Sequence, residues 1–138
     1  MYHQIGTYDG PIRPLVEQAQ ALVPGGSREG YCTVHDFEVG QSYAPHFHSV
    51  IPGHWVRSFL SIIWHDGTIP PHVDTDMQEG TERFHAVLQT SPECWYLHDG
   101  TWQQLQSGGV YAMNPSKIHA SVNWGHGARI HLVVDSLP

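Results

Sequence analysis

Positive charge is what this chain has least of. Six Lys and Arg stand against 13 Asp and Glu in 138 residues, for a formal net charge of -7. Nucleic acids and anionic membrane surfaces are recognised through clustered positive charge, so neither is expected as a partner. Cysteine is nearly absent too. Cys32 and Cys94 fit neither a multi-bridge framework nor a Cys-x-x-Cys metal site, and two free thiols in a reducing compartment are expected. No stretch approaches the roughly 18 apolar residues of a membrane span. The first residues, "MYHQIGTYDGP", lack the basic start and apolar run of a signal peptide. Together these absences lead to the expectation of a soluble, cytoplasmic protein without nucleic-acid or membrane partners.

The length is that of one ordinary domain, enough to bury roughly two-thirds of the surface an unfolded chain exposes. Residues 1–30 are rich in Gly and Pro except for "LVEQAQALV", where Leu15, Val16, Ala19, Leu22 and Val23 recur at helical spacing before "PGG" ends the run. One short N-terminal helix is predicted there. From residue 31 the texture changes to short runs of β-branched and aromatic residues divided by turn signals, as in an antiparallel sandwich or barrel. Strands are predicted near 31–39, 55–65, 70–75, 83–90, 94–98, 101–106, 110–113, 119–123 and 128–135. The organisation expected is a single domain over 1–138, with 1–30 as an N-terminal segment and 31–138 as the β core.

The triplet "HDG" occurs at residues 65–67 and 98–100. Asp-Gly supplies the positive φ angles of tight hairpin turns, so two hairpins are predicted, with His65 and His98 as surface turn residues. The longest segment without strand texture is 40–55, "GQSYAPHFHSVIPGHW". A loop that long in a compact domain is more often functional than idle. Tyr43, Phe47 and Trp55 make it either a lid or a loop anchored by its aromatics.

Histidine is abundant, at 12 residues, and one stretch concentrates attention. In "TIPPHVDTD", His72 and Asp74 are two apart, so at a strand end both project to one side and toward one ion. By itself this is weak, because 12 His among 13 acids make about one such triplet a chance event. Two histidines and one carboxylate on one face, leaving the opposite positions open, suit non-haem Fe(II). His119 is the best third ligand, because "PSKIHASVNW" sets it after a Pro-Ser turn at a strand start.

The C-terminal run "ARIHLVVD" separates into an apolar face of Ile130, Leu132 and Val134 and a mixed face of Arg129, His131, Val133 and Asp135. Burying a guanidinium without an anion is costly, so Arg129 either pairs with an internal acid or awaits a ligand carboxylate, which its planar fork holds with two bonds. "ERFH" repeats the arrangement: Arg83 and His85 share a strand face with Phe84 opposed.

Taken in order, "IPPHVDTD", "ERFHAVLQT", "IHASVN" and "ARIHLVVD" resemble the aspartyl/asparaginyl β-hydroxylase family of Fe(II)- and 2-oxoglutarate-dependent oxygenases, which also contains proline hydroxylases. The likeness covers residues 60–135. It implies a mainly β fold, a double-stranded β-helix or jelly roll of the cupin-like kind. It also implies iron held by His72, Asp74 and His119, and the distal carboxylate of 2-oxoglutarate held by Arg129. Arg83 and His85 match an Arg-x-His pair that lies close to the co-substrate, Ser61 stands where a hydroxyl joins the same pocket, and Asn123 matches a further family position. The activity implied is hydroxylation by O2 of an amino acid or an amino-acid side chain, free or in a peptide, with decarboxylation of 2-oxoglutarate to succinate. Some members replace the metal carboxylate with a non-ligand; Asp74 brings this chain closer to three-ligand oxygenases. Selection of the substrate falls to the loops 40–55 and 75–82 or to a second subunit.

Two other readings compete. Gly40 followed by His46-x-His48 resembles the start of the first cupin motif, giving a metal-binding cupin with His46, His48 and His119. The glutamate that continues that motif is missing, because Pro52 and Gly53 occupy its places. The third reading is a non-catalytic jelly-roll binding module.

Overall fold

The computed structural model describes residues 2–8, 12–21, 32–36 and 44–138. Its elements are β1 (His3–Thr7), α1 (Ile12–Ala21), β2 (Cys32–Asp36), α2 (Ala44–His48), β3 (His54–Ile63), β4 (Thr68–His72), β5 (Glu82–Gln89), β6 (Cys94–His98), β7 (Thr101–Gln103), β8 (Gly109–Met113), β9 (His119–Asn123) and β10 (Arg129–Leu137). The strands form a six-stranded sheet of order β1-β8-β5-β10-β3-β2 and a four-stranded sheet of order β4-β9-β6-β7, with antiparallel neighbours throughout. This is the mainly β jelly-roll architecture expected from the sequence.

Period-two alternation along β10 explains the layering. Ile130, Leu132 and Val134 join Leu60, Ile62, Phe84, Ala86 and Leu88 in an apolar layer on one face of the large sheet, and Leu15 and Ala19 of α1 with Phe47 of α2 pack onto it. Leu15 and Ala19 are the inward helix face predicted from spacing; Leu22 and Val23 lie outside the described residues. A second cluster, including Tyr2, Val87, Cys94, Tyr96, Tyr111 and Met113, fills the space between the sheets. The other face of β10 also turns inward, and so Arg129, His131 and Asp135 are all buried.

Several sequence expectations need correction. β1 was not anticipated, because its burial pattern is mostly exposed and shows no apolar alternation; its partner β8 makes it a strand. β4 begins at Thr68 and stops at His72, and its register slips between Ile69 and His72, where Pro70 and Pro71 have no N–H to give. Part of 40–55 is the short helix α2, while Tyr43 lies outside the described residues. The turn at 98–100 is the expected hairpin: β6 and β7 pair across Asp99 and Gly100, whose φ angles of 48° and 83° suit a two-residue primed turn. The turn at 65–67 is not a hairpin, because it carries the chain from β3 in one sheet to β4 in the other. Nor is His98 a surface residue: it is buried, and its Nε2 lies 3.0 Å from the Asn114 carbonyl oxygen. His65 is half-buried, its Nδ1 against the Gly125 carbonyl.

Candidate active site

Two strand ends and the segment that follows β4 bring the metal-ligand candidates together. His72 closes β4, His119 opens β9, and the two are cross-strand partners with ring centroids 4.2 Å apart. The turn before β9 is tied by Asn114, whose carbonyl accepts from the Lys117 N–H and whose Oδ1 accepts from Ser116. Asp74 follows two residues after His72, its N–H donated to the Pro115 carbonyl. The ligand atoms of His72, Asp74 and His119 all lie within 4.8 Å of one another.

The donor set fits a cation. His72 Nδ1 donates to the Pro70 carbonyl at 2.8 Å and His119 Nδ1 to the Lys117 carbonyl at 2.8 Å. In the neutral rings this leaves Nε2 of each as a lone pair. Those two Nε2 atoms stand 3.2 Å from Asp74 Oδ1 and Oδ2 respectively. Lone pairs facing carboxylate oxygens repel unless a positive charge lies between them. A proton on His119 relieves one of the two contacts: burial disfavours the charged ring, but the Asp74 carboxylate and the Lys117 carbonyl outweigh burial and raise its pKa. The His119 contact, opposed by burial and helped by Arg83, holds Asp74 below the usual carboxylate range.

Arg83 acts on the other side of Asp74. Its Nε and Nη2 donate to Asp135 Oδ1 and Oδ2 at 2.7 and 2.8 Å, and its Nη1 donates to Asp74 Oδ2 at 2.7 Å. Three of the guanidinium's five N–H groups are therefore taken by two acids, and the arginine orients the Asp74 carboxylate.

Arg129 differs. It is 2% exposed, its Nη2 donates to Ser61 Oγ at 2.9 Å, and its Nε has no partner. Among the described residues no carboxylate lies within ion-pair distance of it. A buried guanidinium without an acid beside it carries an uncompensated charge, and its planar fork can take an anion. Arg129, Ser61, the three metal-ligand candidates, Arg83 and His85 all line one cavity of about 390 Å³. His85 Nδ1 lies 2.9 Å from His131 Nδ1, and His131 Nε2 lies 3.0 Å from the Tyr96 hydroxyl. Burial first, then the positive charge of Arg129, holds both imidazoles well below their ordinary pKa.

Sequence reasoning missed Tyr2 and Tyr96 on the cavity wall. Tyr2 packs edge-on against His85 at 5.4 Å and is buried, its phenol pushed up to about 12 by that burial. Its neighbours in sequence gave no signal, because β1 lacks alternation. The cupin-motif histidines go elsewhere: His46 and His48 are exposed on α2, outside both the cavity lining and the candidate metal-ligand group, and the His48 ring lies tilted against Trp55 with centroids 3.9 Å apart. Phe47 and Trp55 are core anchors for 44–55. Asn123 is fully buried and structural, donating to the Ile63 and Gly127 carbonyls and accepting from the Gly125 N–H.

Residues 36–138 match the family described as Aspartyl/Asparaginyl beta-hydroxylase. The chain belongs to that family. The match extends beyond the 60–135 read from the motifs, taking in the end of β2, α2 and the first half of β3. No curated protein matches the sequence. Among solved structures, this β-hydroxylase-family chain is similar to a cupin-superfamily protein from Desulfitobacterium hafniense, at 12% identity over 100% of this chain and 99% of that one, with a TM-score of 0.54. It is similar to the cupin domain of Cnp3 from Schizosaccharomyces pombe, at 8% identity over 78% of this chain and 65% of that one, TM-score 0.54. A Cupin 2 conserved barrel domain protein from Salinispora arenicola aligns at 10% identity over 80% and 81% of the two chains, TM-score 0.50. At such identities the likeness establishes the cupin jelly-roll fold alone, and the hydroxylase assignment comes from the family.

Proposed function

We propose that the chain is an Fe(II)- and 2-oxoglutarate-dependent dioxygenase that hydroxylates an amino acid or amino-acid side chain, acting as one domain on a small-molecule or peptide substrate. The observation that carries this reading is the pairing, in one cavity, of a His-Asp-His cluster with a buried arginine that among the described residues has no acid within ion-pair distance. His72, Asp74 and His119 would hold Fe(II), and three protein ligands leave coordination positions open for a bidentate 2-oxo acid and dioxygen. Arg129 and Ser61 would hold the distal carboxylate. When bound, the metal and co-substrate supply the oxidation: 2-oxoglutarate, O2 and a C–H bond become succinate, CO2 and C–OH.

The protein's own part is positional. Arg83, clamped on Asp135, fixes the angle of Asp74. The backbone carbonyls of Pro70 and Lys117 fix the imidazole tautomers of the two histidines. Tyr2, Phe59 and Tyr96 line the cavity with rings and limit the water near the cluster. His85, held neutral beside Arg129, presents its remaining ring nitrogen as a polar contact for the co-substrate.

Anaerobic reconstitution with Fe(II) and 2-oxoglutarate, followed by exposure to O2 with a panel of amino acids and short peptides, tests the proposal. Substrate-stimulated succinate formation, one equivalent per hydroxylated product, is expected. Failure to bind 2-oxoglutarate in the presence of the metal would refute it.

A further inference from the structure

Three arginines line the cavity, and two have their anions assigned. Arg83 is neutralised by Asp135 and Asp74, and Arg129 is the proposed fork for 2-oxoglutarate. The third is Arg57, which among the described residues has no carboxylate within ion-pair distance.

Strand alternation puts Arg57, Phe59 and Ser61 on the face of β3 that lines the cavity. At about 3.3 Å per residue, the Arg57 and Ser61 backbones stand about 13 Å apart along the strand. Ser61 touches Arg129 at one end. Arg57 stands at the other end of this row, lines the cavity and is exposed. Its guanidinium carbon lies 4.6 Å from the centre of the Phe59 ring, and Arg83, which holds Asp74, approaches the same ring at 5.5 Å. Arg57 is thus one ring away from the metal-ligand cluster. A guanidinium resting on an aromatic face keeps its N–H edges available to a planar anion. Asp74 and Asp76 also line this region and would repel an anionic substrate that met no compensating cation.

We infer that Arg57 is a specificity-determining residue that takes a carboxylate of the substrate, while 2-oxoglutarate occupies the Arg129 end. This rests on the oxygenase reading. The carboxylate has two sources: the α-carboxylate of a free amino acid, or the side chain of an acidic residue within a peptide.

The test is calorimetric binding under anaerobic conditions, with Mn(II) in place of iron and 2-oxoglutarate present. The probes are the free proteinogenic L-amino acids, N-acetyl-L-aspartic acid α-amide with its side-chain carboxylate, and N-acetyl-L-asparagine α-amide with none. Binding of 2-oxoglutarate to the wild-type protein is measured first; if there is none, the oxygenase reading itself fails. Given that binding, at least one carboxylate probe should bind wild type, and the asparagine amide should bind about tenfold more weakly or worse. Arg57→Gln should weaken the carboxylate probe by about tenfold or more, and Arg57→Lys should recover part of the loss. A free amino acid other than aspartate or glutamate as the best probe identifies the α-carboxylate, and binding of the aspartic acid amide identifies the side chain. Absence of binding by every carboxylate probe, equal binding of the asparagine amide, or a loss below tenfold in Arg57→Gln would overturn the inference.

Discussion

Arg83 and Asp135 face each other directly across β5 and β10 and are joined by two parallel hydrogen bonds of 2.7 and 2.8 Å. Both side chains are buried. Because the same guanidinium also holds Asp74, this pair supports the carboxylate of the candidate metal cluster.

Removing Asp135 takes away two of the three hydrogen bonds that hold the buried Arg83 and leaves it only Asp74. Asp135→Ala should therefore destabilise the protein by about 3 kcal/mol or more, read from urea unfolding. It should also weaken metal binding, because Arg83 is then free to rotate away from Asp74. An unfolding free energy within 1 kcal/mol of wild type, on the scale of an exposed pair of about 0–1 kcal/mol, would show that the fork is not structural.

The metal assignment separates the histidines cleanly. His119→Ala or Asp74→Ala should abolish Fe(II) or Mn(II) binding, whereas the double variant His46→Ala with His48→Ala should retain it. Calorimetric titration of the metal checks both, and retention of binding without Asp74 would transfer the site elsewhere.

At the other end of the cavity, Arg129→Gln should weaken 2-oxoglutarate by about 2–5 kcal/mol, the scale for truncating one partner of a buried charge pair. Ser61→Ala should cost about 1 kcal/mol, one lost hydrogen bond. The order of the two effects is the diagnostic feature, since a larger loss from Ser61 would mean that the guanidinium is not the anion receptor.

The buried imidazoles set an acid limit on the metal-free protein. His85 and His131 have folded pKa values well below the ordinary 6.5, so they bind protons on unfolding. Their contribution is complete above about pH 6.5 and is lost as pH falls below it, at up to about 1.4 kcal/mol per pH unit for each. His119, with a raised folded pKa, has the opposite sign: its contribution is full below about pH 6.5 and is lost as pH rises through the folded value. Asp74, with a depressed pKa, contributes above about pH 4 and less below. Unfolding free energies from urea titrations should therefore decline between pH 6.5 and 5, before the carboxylates titrate, and His131→Phe should flatten part of that decline. A level profile over that range would mean that these rings are not buried as neutral species.

The cluster was legible because its determinants are local. Asp74 stands only two residues past His72 at the end of β4, two-residue alternation puts Arg129 with His131, and a Pro-Ser turn marks the start of β9. What escaped depends on register and on tertiary rescue of weak elements. Nothing in "ERFH" says that Arg83 meets Asp135, because that follows only from β5 and β10 pairing at a given offset. Tyr2 immediately precedes β1, a strand that exists because β8 offers an edge. His98 looked like a turn residue from its Asp-Gly neighbours, yet it is the last inward position of β6. The strand-like silence of 40–55 concealed α2, whose Phe47 is recruited by the apolar layer.

The most direct measurement is a crystal structure of the protein grown anaerobically with Mn(II) and 2-oxoglutarate. The account predicts one ion bound by His72 Nε2, Asp74 and His119 Nε2, with the distal carboxylate of 2-oxoglutarate on Arg129 and Ser61. An ion bound at His46 and His48, or a co-substrate carboxylate remote from Arg129, would contradict it.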